Sequence, residues 1–250
     1  MRDDVLYIHM KEPCVTVLGP GKRFVVWTQG CDRHCPGCTA PEAQDMHSGE
    51  EISVDALATE IALSGADGLT ISGGEPFLQP LALARMIDLI RSKRDMGVIV
   101  YTGFVLAELL EMPEAKELLN RIDLLIDGPY VRELDDGLSL RGSSNQRVLP
   151  LTRRYLKDLN RYGQPNRPVE TFRHGAEVHF VGVADHQKSM NIAAQMRRYM
   201  ESNPSVRLYM GGTGPVRNIP LKRIPIQSNE ERMKELLEYM EKHTEPKKGE

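Results

Sequence analysis

RFVVWTQGCDRHCPGC, residues 23–38, decides how the rest of the chain is read. Residues 23–29 are rich in β-branched and aromatic side chains and predict a strand. The cysteines Cys31, Cys35 and Cys38 follow just past its C-terminal end, spaced C-x3-C-x2-C. With 4 cysteines in 250 residues, three at a fixed spacing are expected roughly 0.001 times per chain, so chance is a poor explanation. Iron–sulfur clusters are usually held by four thiolates, and a loop that offers three leaves one iron without a protein ligand. An open metal position invites a substrate or cofactor. The spacing also allows a structural zinc knot with Cys14 or His34 as a fourth ligand. Cys14, in the apolar run CVTVL at 14–18, reads as a core thiol, and His34 as a solvated side chain.

Outward from this stretch the pattern is that of an α/β protein. Upstream lie two short strand candidates, 5–9 and 14–18, and a Gly19-Pro20-Gly21 turn. Downstream, Ser53 can N-cap a helix over 54–63 that Gly65 can end, and GLTIS at 68–72 reads as a buried strand. A helix near 80–93, a strand at 97–102, helical segments over 105–120 and a strand at 123–127 continue the alternation. Near-continuous apolar strands separated by amphipathic helices predict a mostly parallel sheet with outer helices. Such sheets bind ligands at the carboxyl ends of their strands. Those ends carry Cys31, Cys35 and Cys38, then Gly73-Gly74-Glu75, Thr102-Gly103 and Asp127. In Ser72-Gly73-Gly74-Glu75-Pro76, glycine permits positive φ and close backbone approach to a ligand, and the carboxylate can accept hydrogen bonds from an ammonium group. The same residues also read as an ordinary strand-to-helix turn with Pro76 at the helix start. Asp127 likewise reads either as a site residue or as a strand-end carboxylate in a turn.

Residues 151–175, with Arg153, Arg154, Lys157, Arg161, Arg167, Arg173 and His174, are polar and basic and mark the best internal boundary. They read as a solvated loop, or as a face for an acidic electron donor such as flavodoxin or an acidic substrate. Beyond them come a strand at 177–183, a helix over 187–201 whose Met190, Ile192, Met196 and Met200 read as core packing, a strand at 206–210 and a charged helix over 229–242. Hydrophobic residues are 40% and charged residues 27%, and 21 Gly with 16 Pro are too few for a low-complexity chain, which excludes disordered and fibrous classes. A net charge of −3 with the signs interspersed gives no nucleic-acid footprint. No apolar run is long enough to span a membrane, and the opening MRDDVLYIHM lacks a signal peptide's basic and apolar regions. A cytoplasmic protein is therefore expected, and in that reducing compartment three cysteines in one loop point to a metal site or redox chemistry.

The cysteine loop and the GGE loop together resemble the radical S-adenosylmethionine (SAM) superfamily. Within it the chain is similar to the activating enzymes of anaerobic ribonucleoside-triphosphate reductase. The matching residues are Gln29-Gly30-Cys31, Cys35-Pro36-Gly37-Cys38, Gly73-Gly74-Glu75-Pro76-Phe77, Tyr101-Thr102-Gly103-Phe104, Asp127-Gly128-Pro129-Tyr130 and Arg141-Gly142-Ser143-Ser144-Asn145-Gln146-Arg147. The last block otherwise reads as an exposed turn between two short strands. The resemblance implies a partial (β/α)6-type barrel, with a radical SAM core over 1–150 and a C-terminal extension over 151–250 that completes the barrel or docks a partner. It implies a [4Fe-4S] cluster on Cys31, Cys35 and Cys38 whose open iron is chelated by SAM. It also implies SAM contacts from Ser72, Gly73, Gly74, Glu75, Thr102, Arg141, Ser143 and Asn145, with Asp127 near the reacting groups. The chemistry implied is reductive cleavage of SAM to a 5'-deoxyadenosyl radical, fed by a flavodoxin- or ferredoxin-type donor. That radical would place a glycyl radical on a large partner enzyme, or act directly on a peptide or small metabolite. A non-enzymatic zinc-binding module is the third reading.

Overall fold

A computed structural model describes residues 3–161, 163–165, 167–183, 191–192, 194–195, 198–199, 201–203 and 207–211. Its main sheet has seven strands: β1 (Val5–Val15), β2 (Arg23–Thr28), β3 (Glu50–Ser53), β4 (Gly68–Gly73), β5 (Gly97–Tyr101), β6 (Leu124–Asp127) and β7 (Arg147–Pro150). They lie in the order β3-β1-β2-β4-β5-β6-β7. β2, β4, β5 and β6 are mutually parallel, while β1, β3 and β7 add antiparallel edges. The helices α1 (Val54–Leu63), α2 (Pro80–Lys93), α3 (Leu106–Glu111) and α4 (Pro113–Leu119) connect the strands. The α/β class, the parallel centre and the helix positions agree with the sequence reading.

Alternation along each strand sorts the two faces. Phe24 and Val26 of β2, Val98 and Val100 of β5 and Leu125 of β6 pack with Leu57, Ile61, Leu83, Ile87 and Leu118 of the helices. Val25 and Trp27 point the other way and meet Met10, Val15, Leu18 and Val181. Ile99, Leu124 and Ile126 meet Leu140 and Tyr155. Beside Leu18, the second face is covered by chain beyond residue 139, part of it from a separate three-stranded sheet, β8 (Glu170–His174), β9 (Glu177–Val181) and β10 (Arg207–Gly211), ordered β10-β9-β8. β9 and β10 run parallel, as the strands predicted at 177–183 and 206–210 require for a crossover. This sheet lies against the main one and does not extend it.

Four expectations change. The runs at 5–9 and 14–18 give one bulged strand over Val5–Val15, with its register shifting between Glu12 and Val15. Cys14 sits in that bulge at φ +65° and is exposed, not a core thiol, because the extra residue breaks the in–out alternation. Ser53 makes no side-chain cap on α1; the Val54 amide donates instead to the Asp4 carbonyl at 3.0 Å, and Gly65 at φ +75° follows the helix end as expected. The stretch 151–175 is not a solvated loop throughout: Tyr155 and Arg167 are buried, and Arg154 pairs with Asp95. Within the predicted helix over 187–201, the described residues 191–192, 194–195, 198–199 and 201 are helical. Met190, Met196, Met200 and the helix predicted over 229–242 lie outside the described residues. Among the described residues, no helix is long and apolar enough to cross a membrane.

Candidate functional site

The parallel strands end on one cleft. Cys31, Cys35 and Cys38 form one side of it, with Ser72, Gly73, Gly74 and Glu75 beneath. Thr102 and Gly103, Gly128 and Tyr130, and Gly142 and Gln146 continue the rim. Gly182 and Val183, just past β9, complete the lining.

The cysteine loop is held from below by its own continuation. The buried Gln29 amide reaches the Glu42 and Asp45 carbonyls at 3.0 and 2.8 Å and Ser48 Oγ at 3.1 Å. The Gly30 and Cys31 amides donate to Ala43 and Gln44 carbonyls at 2.8 and 3.1 Å. Within the loop His34 at φ +45° and Gly37 at φ +77° reverse the chain, and the Cys38 amide donates to the Cys35 carbonyl at 3.0 Å. His34 is exposed and turned toward Gln44 at 3.2 Å.

Burial pushes the Cys31 thiol up to about 11, with Glu75, Cys38 and Cys35 adding to it. Burial also raises Cys35 and Cys38. Three partly buried thiols that resist ionising on their own are a donor set for soft metal ions, whose charge is what would make them thiolates. Sulfurs sharing one tetrahedral zinc lie roughly 3.8 Å apart for Zn–S bonds of about 2.3 Å. Among the described residues, the only three metal-ligating side chains with atoms within 4.8 Å of one another are Glu12, His174 and His179. At least two of the three cysteine sulfurs therefore stand more than 4.8 Å apart, wider than that tetrahedral spacing.

The GGE loop meets the cysteine loop main chain to main chain. The Gly74 amide donates to the Thr28 carbonyl at 2.7 Å and the Glu75 amide to the Gly30 carbonyl at 2.8 Å. A Cβ on Gly74 would fall 2.1 Å from the Gly30 carbonyl oxygen, and one on Gly73, at φ +109°, 2.2 Å from the Thr28 nitrogen. The close approach expected toward a ligand is an approach to the neighbouring loop. Glu75 is 1% exposed. Its Oε1 accepts from the Phe77 amide at 3.0 Å and Thr102 Oγ1 at 2.7 Å, and its Oε2 from the Gly103 amide at 2.8 Å. Burial raises its pKa against these donors and the Arg33 charge. A carboxylate offers about four acceptor directions, so one stays available.

Asp127 is also buried, but its partners are internal. It accepts from the Leu106 amide at 2.7 Å at the start of α3 and is clasped by Arg147 through both oxygens. It does not line the cleft. The RGSSNQR block acts as a brace more than as an exposed turn. Ser143, fully buried, accepts from the Val131 amide at 3.1 Å, and Asn145 donates to the Pro129 carbonyl at 2.7 Å. Gln146 accepts from the Gly142 amide and donates to the Gly128 carbonyl, both at 2.8 Å. Arg141 pairs with Asp136 at 2.5 Å. Of this block only Gly142 and Gln146 face the cleft; Arg141, Ser143 and Asn145 support it from behind.

Sequence reasoning missed two cations beside the cysteine loop. Arg33 lies 3.9 Å above the Phe104 ring, with its Nε buried and without a hydrogen bond. Arg132 packs against Gly37 with Nε and Nη2 in the same state. Buried donors left over next to three thiols fit an anionic group in the cleft, such as a thiolate-ligated cluster or a carboxylate. For Arg33 the signal was available: an arginine inside the ligand loop itself.

The profile of the 4Fe-4S single cluster domain family matches residues 17–149, just over half of the chain. An anaerobic ribonucleoside-triphosphate reductase-activating protein from Vibrio cholerae is 34% identical over 151 residues, covering 55% of this chain and 94% of the relative. Its counterpart from Escherichia coli K12 is 32% identical over 151 residues, 56% of this chain and 96% of the relative. The pyruvate formate-lyase 1-activating enzyme of Escherichia coli K12 is 32% identical over 164 residues, 61% of this chain and 63% of the relative. The chain is an enzyme whose cofactors are a [4Fe-4S] cluster and SAM. With a family profile across its cleft-forming half and relatives matched along nearly their whole length, the chain belongs to the 4Fe-4S single cluster domain family of radical SAM activating enzymes.

Proposed function

We propose that this enzyme generates a glycyl radical on an anaerobic ribonucleotide reductase or a related glycyl-radical partner. When bound, the cluster and SAM supply a 5'-deoxyadenosyl radical that removes a hydrogen atom from the substrate. The protein's own contribution is binding, orientation and exclusion of water. Cys31, Cys35 and Cys38 hold the cluster and leave one position open. Glu75 offers its remaining acceptor direction to the SAM ammonium, with Thr102 and Gly103 setting the carboxylate's orientation. Arg33 and Arg132 balance negative charge. Ser72, Gly73 and Gly74 keep that carboxylate within reach of the loop, while Arg141, Ser143, Asn145 and Asp127 position the opposite rim.

The observation that carries this reading is the main-chain seam between the two loops, the Glu75 amide on the Gly30 carbonyl at 2.8 Å. It puts a three-thiol loop and a buried carboxylate on one rim. In this reading residues 1–150 are the core, a shortened (β/α)6-type barrel, and 151–250 an extension. Electrons come from an acidic flavodoxin- or ferredoxin-type donor.

One observation favours a second reading. Gly182 and Val183 belong to the extension and line the cleft, so the extension contributes to what the cleft accepts. An enzyme acting directly on a peptide or small metabolite would use it that way. The experiment is anaerobic reconstitution with iron and sulfide, reduction, and assay of 5'-deoxyadenosine with iron and zinc content. About four irons per chain and reductant-dependent 5'-deoxyadenosine are expected. Adding a glycyl-radical partner should then produce the glycyl radical signal by electron paramagnetic resonance. Cys35→Ala should abolish SAM cleavage; a variant that still cleaves at the wild-type rate refutes the ligand assignment.

A further inference from the structure

Glu12, His174 and His179 meet where β1 passes under the β8–β9 hairpin. His174 Nε2 lies 2.8 Å and His179 Nδ1 3.0 Å from the same oxygen, Glu12 Oε2. The histidines are brought to one face by the hairpin. Phe172 pairs with His179 and His174 with Glu177, so His174 and His179 are diagonal neighbours across a two-residue turn that begins at Gly175, φ +62°. Their ring centroids are 5.0 Å apart and tilted by 52°, with a nitrogen of each turned to the carboxylate and no ring stacking.

The geometry points to a mononuclear site for a first-row divalent cation, ligated by Glu12 Oε2, His174 Nε2 and His179 Nδ1. Two imidazoles and one carboxylate are a recurrent donor set for zinc and ferrous ions, with further positions open. Ligand atoms around a tetrahedral cation at about 2.0–2.2 Å stand roughly 3.3–3.6 Å apart, so the two histidine nitrogens, now 2.8 and 3.0 Å from Glu12 Oε2, have only to spread slightly to admit one. Glu12 is 1% exposed, so its negative charge lacks water, and a cation supplies what burial removes. The His174 side chain is 48% exposed, which leaves one side of the site open to entering ions and water. Behind His179, Glu177 Oε2 stands 3.9 Å from Nε2, placing a carboxylate on the outer side of a ligating histidine. To ligate, each imidazole carries its proton on the ring nitrogen turned away from Glu12, so that both bind in the neutral form.

Such an ion would fasten the second sheet to the first. At the other end of the same seam, Glu170 already accepts from the Thr16 amide at 2.8 Å and Thr16 Oγ1 at 2.5 Å. Gly182 and Val183 follow directly from β9 into the cleft, so the cation would steady the extension's contribution to its lining.

The test is equilibrium dialysis of the cluster-loaded full chain against zinc alone, followed by metal analysis and zinc-edge X-ray absorption. About one zinc per chain, with nitrogen and oxygen ligands and no sulfur, is expected beside the cluster iron. Glu12→Gln and His174→Gln should lose that zinc and keep the iron. His174→Gln changes a half-exposed side chain, so it decides the matter if Glu12→Gln does not fold. Absence of bound zinc in the wild type, sulfur ligation, or zinc retained by His174→Gln would each overturn the assignment. None of these readouts depends on SAM cleavage or on the partner.

Discussion

The two walls of the cleft are built from different material. The wall made by the cysteine and GGE loops is joined main chain to main chain, through the amides of Gly74 and Glu75 and the carbonyls of Thr28 and Gly30. The wall made by residues 128–146 is joined by side chains: Ser143, Asn145, Gln146 and the Asp127–Arg147 pair. Arg167 of the extension locks it from outside, donating to the Leu138 carbonyl and Asp135 at 2.7 Å each and to the Gly142 carbonyl at 3.1 Å. A main-chain seam leaves no room for a Cβ but contains no titrating group. A side-chain seam tolerates backbone change but answers to charge and pH.

Gly74→Ala should have the largest effect. Ordinary overpacking costs about 1–3 kcal/mol because side chains can shift. Here the new Cβ meets two main-chain oxygens, Gly30 at 2.1 Å and Ala43 at 2.7 Å. Reconstituted Gly74→Ala should hold almost no cluster iron, and wild-type iron content would break the contrast between the walls. Next comes Arg167→Met, which leaves the Asp135 carboxylate without its cation at a 2% exposed guanidinium site. A loss of about 3–5 kcal/mol is expected, visible as a lower Tm of unfolding, with the iron content retained. If iron falls in parallel, the walls are not independent.

Glu75→Gln sharpens the picture of the first wall. The amide NH2 must face one of the donors that now serve Glu75, at a cost of about 1–3 kcal/mol, roughly 5- to 150-fold in SAM binding measured by titration. Cluster iron should stay near the wild-type value. The smallest effect is acid sensitivity of the second wall. Burial raises the Asp136 pKa, but the Leu138 amide and the Arg141 and Arg167 guanidiniums outweigh it, leaving the carboxyl below its ordinary 3.8. A depressed carboxyl contributes stability above 3.8 and loses it as pH falls below that value through the folded pKa. Cluster-free wild type should therefore lose more stability than Asp136→Asn over that window, by less than about 1 kcal/mol because the group is largely solvated. Equal pH profiles would remove Asp136 from the account.

Much of this was legible beforehand. The helices over 54–63 and 80–93 and the strands near 68–72 and 97–102 follow from periodicity within a few turns of chain. The cysteine loop follows from spacing within eight residues. Cys14 was misread because a bulge at Pro13–Cys14 shifts alternation by one, and nothing in an apolar run announces that shift. Arg167 was misread because a basic residue in a polar stretch looks solvated until its partners, Asp135 and Gly142, are brought to it.

What the sequence determined alone is whatever depends on neighbours along the chain: the α/β alternation, the open three-thiol loop and the glycines of the following turn. These reflect local sterics and ligand spacing, which need no distant partner. The tertiary structure decided which face of the sheet the extension covers, where Asp127 and Glu75 spend their hydrogen bonds, and that Glu12 meets histidines 162 and 167 residues away. Those outcomes depend on which surfaces bury each other, and a one-dimensional pattern of apolar and polar residues does not name the partner.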